Sequence, residues 1–577
     1  MPASRGFARG FDCLVVGYNE PPFSDYERLI RTFGADSEAY RDLHYSFVDL
    51  GGQPLSYVDL LNHVDRLAAP LSTSAVDRRF ESGDIPNLAA AYLTNYLRAR
   101  GVSARYVNLF QREKARLREW LAERPLCVAI TTTFYVLNFP VVEMVRFIRE
   151  HSPDTTIVVG GPLIGNHLRN TREDNDLVPD PAGRIRNERL QAALADLEAD
   201  IYVTDAQGEA TLLHLVRTLA AGGPLARVPN IIYADRGTLR QTVSQPESNP
   251  IDEVAIDWTG LRDHDLGPTL QTRTARSCAF SCAFCNYPER AGALSLASVA
   301  TVGDELETVR ALGNVQNVVF IDDTFNVPLA RFKDLCRMMI DRQYGFRWFS
   351  YFRCSNADEE AFDLMAASGC AGVFLGIESG SPTVLKHMHK AAAVDQYARG
   401  IEALRQREIL TFGSFIIGFP GETDATVQET LDFITSTPLD YYRAQLWYYE
   451  RGTPIDRRRA EFQIAGDGFV WSHATMDSTS AMNHIERMFF TVRHATWLPQ
   501  WSFDFWILPY LLGKGLAPED IRRFTHGANR ILALDLASVP DQQRARRKAE
   551  LLDELVAGAR QWARTGPTQD DEIVATF

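Results

Sequence analysis

The sequence predicts an α/β protein: a doubly wound parallel sheet at the N-terminus, a partial (β/α) barrel in the middle and a helical C-terminal region. Three observations predict it. Short apolar runs of strand length alternate with amphipathic helical patterns, which implies parallel sheets. The alternation comes in two series, separated by a polar stretch, GTLRQTVSQPESNP, within a linker over 236–270. From about residue 456 the strand signals stop and long charged helical patterns follow. The expected units are 1–235, the linker 236–270, 271–455 and 456–577.

In the first series, FDCLVVGYNEPP (11–22) opens with a buried apolar strand. IPNLAAAYLTNYLRARG (85–101) reads as a helix, with Pro86 near its start, Leu88, Tyr92, Tyr96 and Leu97 on one face, and Gly101 as the stop. ARYVNLF (104–110), PLCVAITTTFY (125–135), TTIVVGGPLIG (155–165) and ADIYVTDAQGEAT (199–211) supply four further strands. Val141, Met144, Val145 and Ile148 form the i, i+3, i+4, i+7 stripe of a helix between them. Five such strands make a doubly wound, Rossmann-like sheet whose ligand lies outside the carboxyl ends. Those ends carry Tyr18 and Asn19, Thr131, Thr132, Thr133 and Phe134, Gly160, Gly161 and Pro162, and Gln207, Gly208 and Glu209. No G-x-G-x-x-G follows the first strand, which disfavours a dinucleotide. Residues 19–84 form a long insertion after that strand, with amphipathic helices at YERLIRTF and YVDLLNHVDRLAAPL.

The second series opens on SCAFSCAFCNYPER (277–290), which sets Cys278, Cys282 and Cys285 in a C-x3-C-x2-C spacing. The chain has 8 cysteines in 577 residues, too few for a disulfide framework. The other five stand singly among apolar residues and read as small buried hydrophobes. Three thiolates on one loop suit an iron–sulfur cluster that leaves one iron open. Strands follow at NVVFIDDTF, FRWFSYFRCS, CAGVFLGIESGS, TFGSFIIGFPGET and YYRAQLWYY. Polar residues at the C-terminal strand ends of a parallel barrel face the active site. Asp322, Arg353 and Glu378 stand at such ends; for Asp322 and Arg353 the alternative is a structural ion pair.

The C-terminal region reads as helices at 482–497, 518–536 and 541–563, with Phe489, Phe490, Trp497, Trp501, Phe503 and Trp506 as core. The most apolar stretch, WSFDFWILPYLLGKG, is too short to span a bilayer. No secretory signal is visible, so a cytoplasmic protein is expected. A net charge of −14 argues against sequence-independent nucleic-acid binding.

The cysteine spacing, with Phe284 before the last cysteine, resembles the radical S-adenosylmethionine (SAM) family. FIDDTF, GIESGSPTVLKHMHK and FIIGFPGET resemble its later segments. TTTFY, VVGGP and DAQGEAT resemble the cobalamin-binding domain that precedes many of its members. The whole order resembles the cobalamin-dependent (class B) radical SAM enzymes, and FDCLVVGYNEPPFSDYERLIRTFGADSEAYRDLHYSFVD and GFVWSHATM resemble the phosphinothricin P-methyltransferase family. The resemblance implies a [4Fe–4S] cluster on the three cysteines. It implies SAM contacts at Phe284, Asp322, Arg353, Glu378, Ser379, Ile416 and Phe419, and cobalamin against the strand ends of the first sheet. The Asp-x-His-x-x-Gly motif is missing around Asp42 and His44, so no histidine beneath the cobalt is expected. The Gly-Gly-Glu segment of the family is replaced by DDTF. The implied reaction moves a methyl group from SAM, by way of methylcobalamin, to a carbon or phosphinate phosphorus of a small-molecule or peptide natural-product intermediate. An electron donor such as flavodoxin or ferredoxin would serve it. Ring contraction, cyclisation or oxidation without methyl transfer is the alternative with the same cofactors, and a cobalamin-binding regulatory protein the alternative of another class. Tyr448, Tyr449 and His473 are the expected substrate contacts, on segments 441–449 and 466–476.

Overall fold

The computed structural model describes residues 10–69, 80–133, 135, 137–170, 183–264, 266–501, 505–537 and 540–565. Phe134 and Phe503 lie outside the described residues.

The first sheet has seven strands: Cys13–Tyr18 (β1), Ala104–Leu109 (β2), Cys127–Thr131 (β3), Thr156–Gly160 (β4), Ile201–Val203 (β5), Ile231–Asp235 (β6) and Thr238–Gln241 (β7). Their order is β2-β1-β3-β4-β5-β6-β7. The first five run parallel, and β6 and β7 extend the sheet antiparallel. The central strands are apolar runs because both faces are covered. Leu14 and Val16 of β1 join one buried cluster, under helices Phe110–Ala122 and Phe139–His151. Cys13 and Val15 point the other way, under helices Leu88–Arg98 and Glu209–Ala220. The order reverses at β1, which opens a crevice at the carboxyl ends.

The linker is shorter than its polar composition implies, because Thr238–Gln241 pairs with β6. A two-residue turn at Arg236 and Gly237 makes this hairpin, and its partly buried strand carries no apolar run. After it, Glu247 accepts hydrogen bonds from Ala210 N and Thr211 N, 2.8 Å each. A carboxylate at a helix N-terminus satisfies donors the helix leaves open.

The second sheet is parallel throughout: Thr269–Thr272 (β8), Asn317–Phe320 (β9), Arg347–Phe352 (β10), Cys370–Glu378 (β11), Leu410–Ile417 (β12), Tyr441–Leu446 (β13) and Thr496–Trp497 (β14), in that spatial order. It is an open (β/α) barrel. Helices such as Leu329–Arg342 and Asp424–Ser436 cover its outer face, where Trp348 packs with Phe320 and Phe332 and Phe415 with Phe433. Phe505 packs against Phe349, Phe374 and Phe412, at 6.2, 5.8 and 6.1 Å between ring centroids. Strands do not end at 456: Ala465–Asp467, Val470–His473 and Met476–Asp477 form a small antiparallel sheet, and β14 adds to the barrel. None is long enough to show a period.

The insertion after β1 folds as helices Phe23–Arg31, Glu38–His44 and Tyr57–Ala68 around a hairpin, Phe47–Leu50 with Gln53–Ser56. It packs against the C-terminal helices rather than completing the first sheet. Tyr57 Oη donates to Asn529 Oδ1 (2.7 Å), Asp49 N donates to Asp535 Oδ2 (3.0 Å), and Tyr45 lies against Phe489 and Trp497. Helices Pro518–Leu536 and Asp541–Thr565 approach closely, since a Cβ on Gly527 would meet Leu555 Cδ2 at 2.5 Å. Leu555→Ala therefore opens a void in a contact that cannot collapse further. The substitution should destabilise by about 2–5 kcal/mol and quicken amide exchange in both helices, read by hydrogen–deuterium exchange.

Candidate active site

The carboxyl ends of both sheets open onto one cavity of about 700 Å³. The first sheet contributes Thr131, Thr132, Thr133, Gly160, Gly161, Pro162, Gln207, Gly208 and Glu209. The second contributes Gln271, Arg273, Arg276, Ile321 and Asp323, with Asn286 and Tyr287 from the cysteine loop. Thr131 Oγ1 donates to Gly17 O (2.7 Å) and Thr132 Oγ1 to Gly160 O (2.9 Å), so these hydroxyls tie strand ends together. Gly161 has φ +108°, and a Cβ there would lie 2.9 Å from Thr132 Oγ1. At this point the wall is bare backbone.

All eight cysteines are free thiols. Cys282 is buried, and Cys278 and Cys285 are half-buried. Cys278 Sγ lies 3.5 Å from Thr324 Oγ1, and Tyr287 N donates to Cys285 Sγ at 3.4 Å. The loop is held from below: Ala283 N donates to Met388 O (2.8 Å) and Ile455 N to Ala283 O (2.9 Å). Burial pushes the Cys282 thiol up and Cys285 up to about 11, so a metal must displace their protons to bind. Among the described residues no three His, Cys, Asp or Glu side chains converge on a single-ion site. A cluster places different demands, because each cysteine holds a different iron.

Around the loop the SAM-side expectations divide. Phe284 meets Phe419 edge-on (6.5 Å), and Phe419 meets Trp447 (5.6 Å). Ile416 is buried on the strand before them. The Arg353 guanidinium lies 3.7 Å from the Phe280 ring centre, and its buried Nη2 has no hydrogen-bond acceptor. Glu378 sits at φ +67° and bonds Lys390 Nζ at 2.8 Å; Lys390 lies 5.5 Å from the Phe284 ring. Ser379 Oγ is 3.1 Å from Thr430 Oγ1 and accepts from Ser381 N, inside the wall.

Several expected contacts stand elsewhere. Asp322 is not paired with Arg353. It accepts from Thr274 N (2.6 Å), Ala275 N (2.9 Å) and Thr274 Oγ1 (2.5 Å), fixing the turn before the cysteine loop. The next residue, Asp323, is the one that faces the cavity, because successive residues past a strand end point opposite ways. Burial first and Asp322 second push its carboxyl up to about 7, although its side chain is open to the cavity. Tyr18 and Asn19 are not on the cavity wall. Asn19 N donates to Tyr135 Oη (2.5 Å) and its amide to Pro140 O (2.8 Å). Tyr448, Tyr449 and His473 do not reach the cavity either. Tyr448 is half-exposed against Phe469, Tyr449 Oη bonds Asp456, and His473 Nε2 lies 3.2 Å from Gly418 O. Trp471, stacked on His473, packs behind Gly418, where a Cβ would meet it at 2.3 Å. The segment 466–476 thus backs the end of β12. Arg273, Arg276, Asp323 and Lys390 were missed; single charged residues beside a motif carry no pattern of their own.

Residues 272–434 match the Radical SAM superfamily. The chain therefore carries a radical SAM domain, built on the second sheet around the three cysteines. It is similar to an uncharacterized methyltransferase of Pyrococcus horikoshii, 27% identical over 49% of this chain and 63% of that protein. It is also similar to the anaerobic magnesium-protoporphyrin IX monomethyl ester cyclase of Rubrivivax gelatinosus, 24% identical over 60% and 62%. A third relative is the tryptophan 2-C-methyltransferase of Streptomyces laurentii, 29% identical over 30% of each chain. These matches span less than two thirds of each relative. In fold the chain resembles the radical SAM methyltransferase TsrM of Kitasatospora setae, solved with cobalamin and a [4Fe–4S] cluster bound: TM-score 0.54, 21% identity, 83% of this chain and 97% of that one. It likewise resembles the cobalamin-dependent SAM radical enzyme OxsB, solved with aqua-cobalamin: TM-score 0.54, 14% identity, 83% and 77%. Among the described residues no helix is long and apolar enough to cross a membrane.

Cys278→Ala, Cys282→Ala and Cys285→Ala should each lose most iron after anaerobic reconstitution, while Cys336→Ala and Cys354→Ala, in the packed core, should keep wild-type iron and sulfide. A separate outcome concerns Glu422, enclosed after β12. Burial pushes its carboxyl up to about 8, against hydrogen bonds from the Gly418 and Phe419 N–H groups. Between the ordinary value of about 4.3 and that value, the folded chain keeps a proton the unfolded chain has lost. Stability therefore falls as pH rises through this window. Glu422→Gln should raise the melting temperature at pH 8 and barely change it at pH 5; equal shifts at both would contradict the argument.

Proposed function

We propose that the chain is a cobalamin-dependent radical SAM methyltransferase acting on a small natural-product intermediate, at a carbon or a phosphinate phosphorus. The observation that carries this reading is the single cavity walled by the strand ends of both sheets. The cluster fits the donor set: three free thiols on one pinned loop, with the cationic groups of Lys390 and Arg353 beside Cys282. Cobalamin fits the opposite wall, where Gly160, Gly161 and Gly208 leave backbone exposed between threonines, and where a Cβ on Gly160 would crowd Val203 at 3.2 Å. No histidine is among the described residues lining the cavity. His44 sits in the insertion, stacked on Phe47.

Bound there, the cluster and SAM would supply a radical-generating cleavage driven by an external electron donor, and cobalamin would carry the methyl group. The chain's own residues do the placing. Arg353, with Nη2 free of an acceptor, suits the carboxylate of SAM. Phe284, Ile416 and Phe419 offer an apolar bed for its adenine. Lys390 holds Glu378, so that carboxylate serves as an anchor for the strand end. Asp323, on the floor between the two walls, can take a proton or hold a cationic group. Bringing reactants together in one oriented cavity is worth roughly 7–11 kcal/mol over free encounter.

The similarity to a cyclase favours a second reading, cyclisation or oxidation without methyl transfer, on the same cofactors. One assay separates them: SAM labelled in its methyl group, a flavodoxin or dithionite reductant, and a panel of amino acids, peptides and phosphinates. Methyl transfer predicts labelled product. Consumption of an acceptor with 5′-deoxyadenosine formed and no label in product would establish the second reading instead. Gly161→Val should empty the cobalamin side while leaving iron content unchanged, read by visible spectra and metal assay.

A further inference from the structure

The two sheets are joined at the cavity by one buried knot. Arg276 stands on the cysteine-loop side, two residues before Cys278. Its Nη1 donates to Gln207 Oε1 (2.7 Å) and to Asn249 O (2.9 Å), and its Nη2 lies 3.5 Å from Glu209 Oε1. Asn249 Nδ2 closes the ring, donating to Gln207 Oε1 and to Glu209 Oε2 at 3.1 Å each. The Arg276 and Glu209 side chains are 7% and 3% exposed, so the pair is shielded from solvent screening. Gln207 and Glu209 are also cavity wall, on the first-sheet side.

The link from Arg276 to Cys278 is stiff. Ser277 between them is held at φ +72°, its hydroxyl donates to Gly292 O (2.6 Å), and its N–H donates to Tyr287 Oη (3.3 Å). Movement of the guanidinium therefore reaches the first cysteine without being absorbed by the chain. Tyr287 itself lines the cavity and bonds Cys285 through its N–H.

We infer that Arg276 is a positioning residue that couples occupancy of the strand ends 207–209 to the setting of the cysteine loop, so that cobalamin and the cluster strengthen each other's binding. This rests on the reading of the cavity and the thiols given above. A ligand pressed against Gln207 and Glu209 fixes the groups that hold Arg276, and Arg276 then fixes Cys278. Coupling of this kind is reciprocal: the cluster must raise cobalamin affinity by the factor by which cobalamin stabilises the cluster.

The full chain is purified anaerobically with and without its cluster, and hydroxocobalamin affinity is titrated in both forms. The wild type should bind about tenfold more tightly when cluster-loaded. Arg276→Met should bring that ratio close to one while both cofactors still bind. This variant leaves Glu209 with Arg273 at 3.5 Å and the Asn249 amide, one cation fewer than in the wild type; Arg276→Met/Glu209→Gln removes both charges of the pair and should show the same lost ratio. Arg276→Lys keeps the charge without the two-pronged geometry and should fall between. The electron paramagnetic resonance spectrum of the reduced cluster should shift on cobalamin addition in the wild type and not in Arg276→Met. A wild-type ratio of one, or an unchanged ratio in both methionine variants, overturns the inference while cluster and cobalamin contents stay normal. Absence of either cofactor from the wild type overturns the underlying reading, and the inference with it.

Discussion

Where the two sheets meet at the cavity, a polar knot adds direction to the apolar core that runs from one to the other. Arg276 Nη1 donates to Gln207 and to the Asn249 carbonyl, its Nη2 lies 3.5 Å from the Glu209 carboxylate, and Asn249 bonds both Gln207 and Glu209, in a place with little solvent. Apolar docking would tolerate sliding, since burial is non-directional. A guanidinium held by an amide, a carbonyl and a carboxylate has one good position, and moving it leaves charges stranded. Everything at the cavity depends on that position. Parallel sheets deliver all their ligand-facing loops at one end, and the knot fixes how the two ends face each other. Arg169 of the first unit reaches Glu450 of the second at 3.4 Å, a further crossing on more exposed ground.

The far end of the barrel is sealed. Phe505 fills the space between Phe349, Phe374 and Phe412, and Trp506 meets Tyr351 edge-on at 4.9 Å. The C-terminal region supplies this plug and adds β14 to the open edge. The insertion after β1 braces the same region from outside, through Tyr45, Tyr57 and the Lys548–Asp535 pair that also reaches Asp49 O. Two segments more than 400 residues apart in sequence thus form one body. This body closes the far end of the barrel, away from the carboxyl ends that open onto the cavity.

Most of the architecture was legible, because buried parallel strands announce themselves as apolar runs and their helices as stripes. The strands of both series lie where those runs lie. What escaped was β6, whose apolar run at Ile231–Asp235 went unread, and strands that are short or polar: β7 in the supposed linker, β8 with its two threonines, β14 of two residues, and the small sheet over 465–477. Two to four residues show no period. Two of the insertion's three helices were legible, Glu38–His44 being the exception, but its partner was not, since a helix's apolar stripe says nothing about which distant surface covers it. At the site, nine of the residues expected against cobalamin do line the cavity, because glycines and threonines at strand ends reflect backbone needs. The substrate candidates stand off this cavity for the opposite reason: Tyr449 and His473 are conspicuous in sequence and are held by local partners, Asp456 and Gly418.

Polar groups around the cavity sort into two kinds, and the sorting separates scaffold from site. Asp322, Ser379, Glu378 and Thr132 have partners within the chain, which is the condition for burying them. They tie strand ends and turns together and have little capacity left for a ligand. Arg353 Nη2 is buried without an acceptor, and Asp323 has its carboxyl pushed up by burial first and by Asp322 second. An unsatisfied buried donor typically costs 1–3 kcal/mol, a cost that a ligand accepting from Arg353 would relieve. Adjacent aspartates show how fine the division is. Asp322 turns inward and ties the backbone at Thr274 and Ala275, which places the cysteine loop. Asp323, one residue on, turns outward and faces whatever the loop and the opposite sheet hold between them.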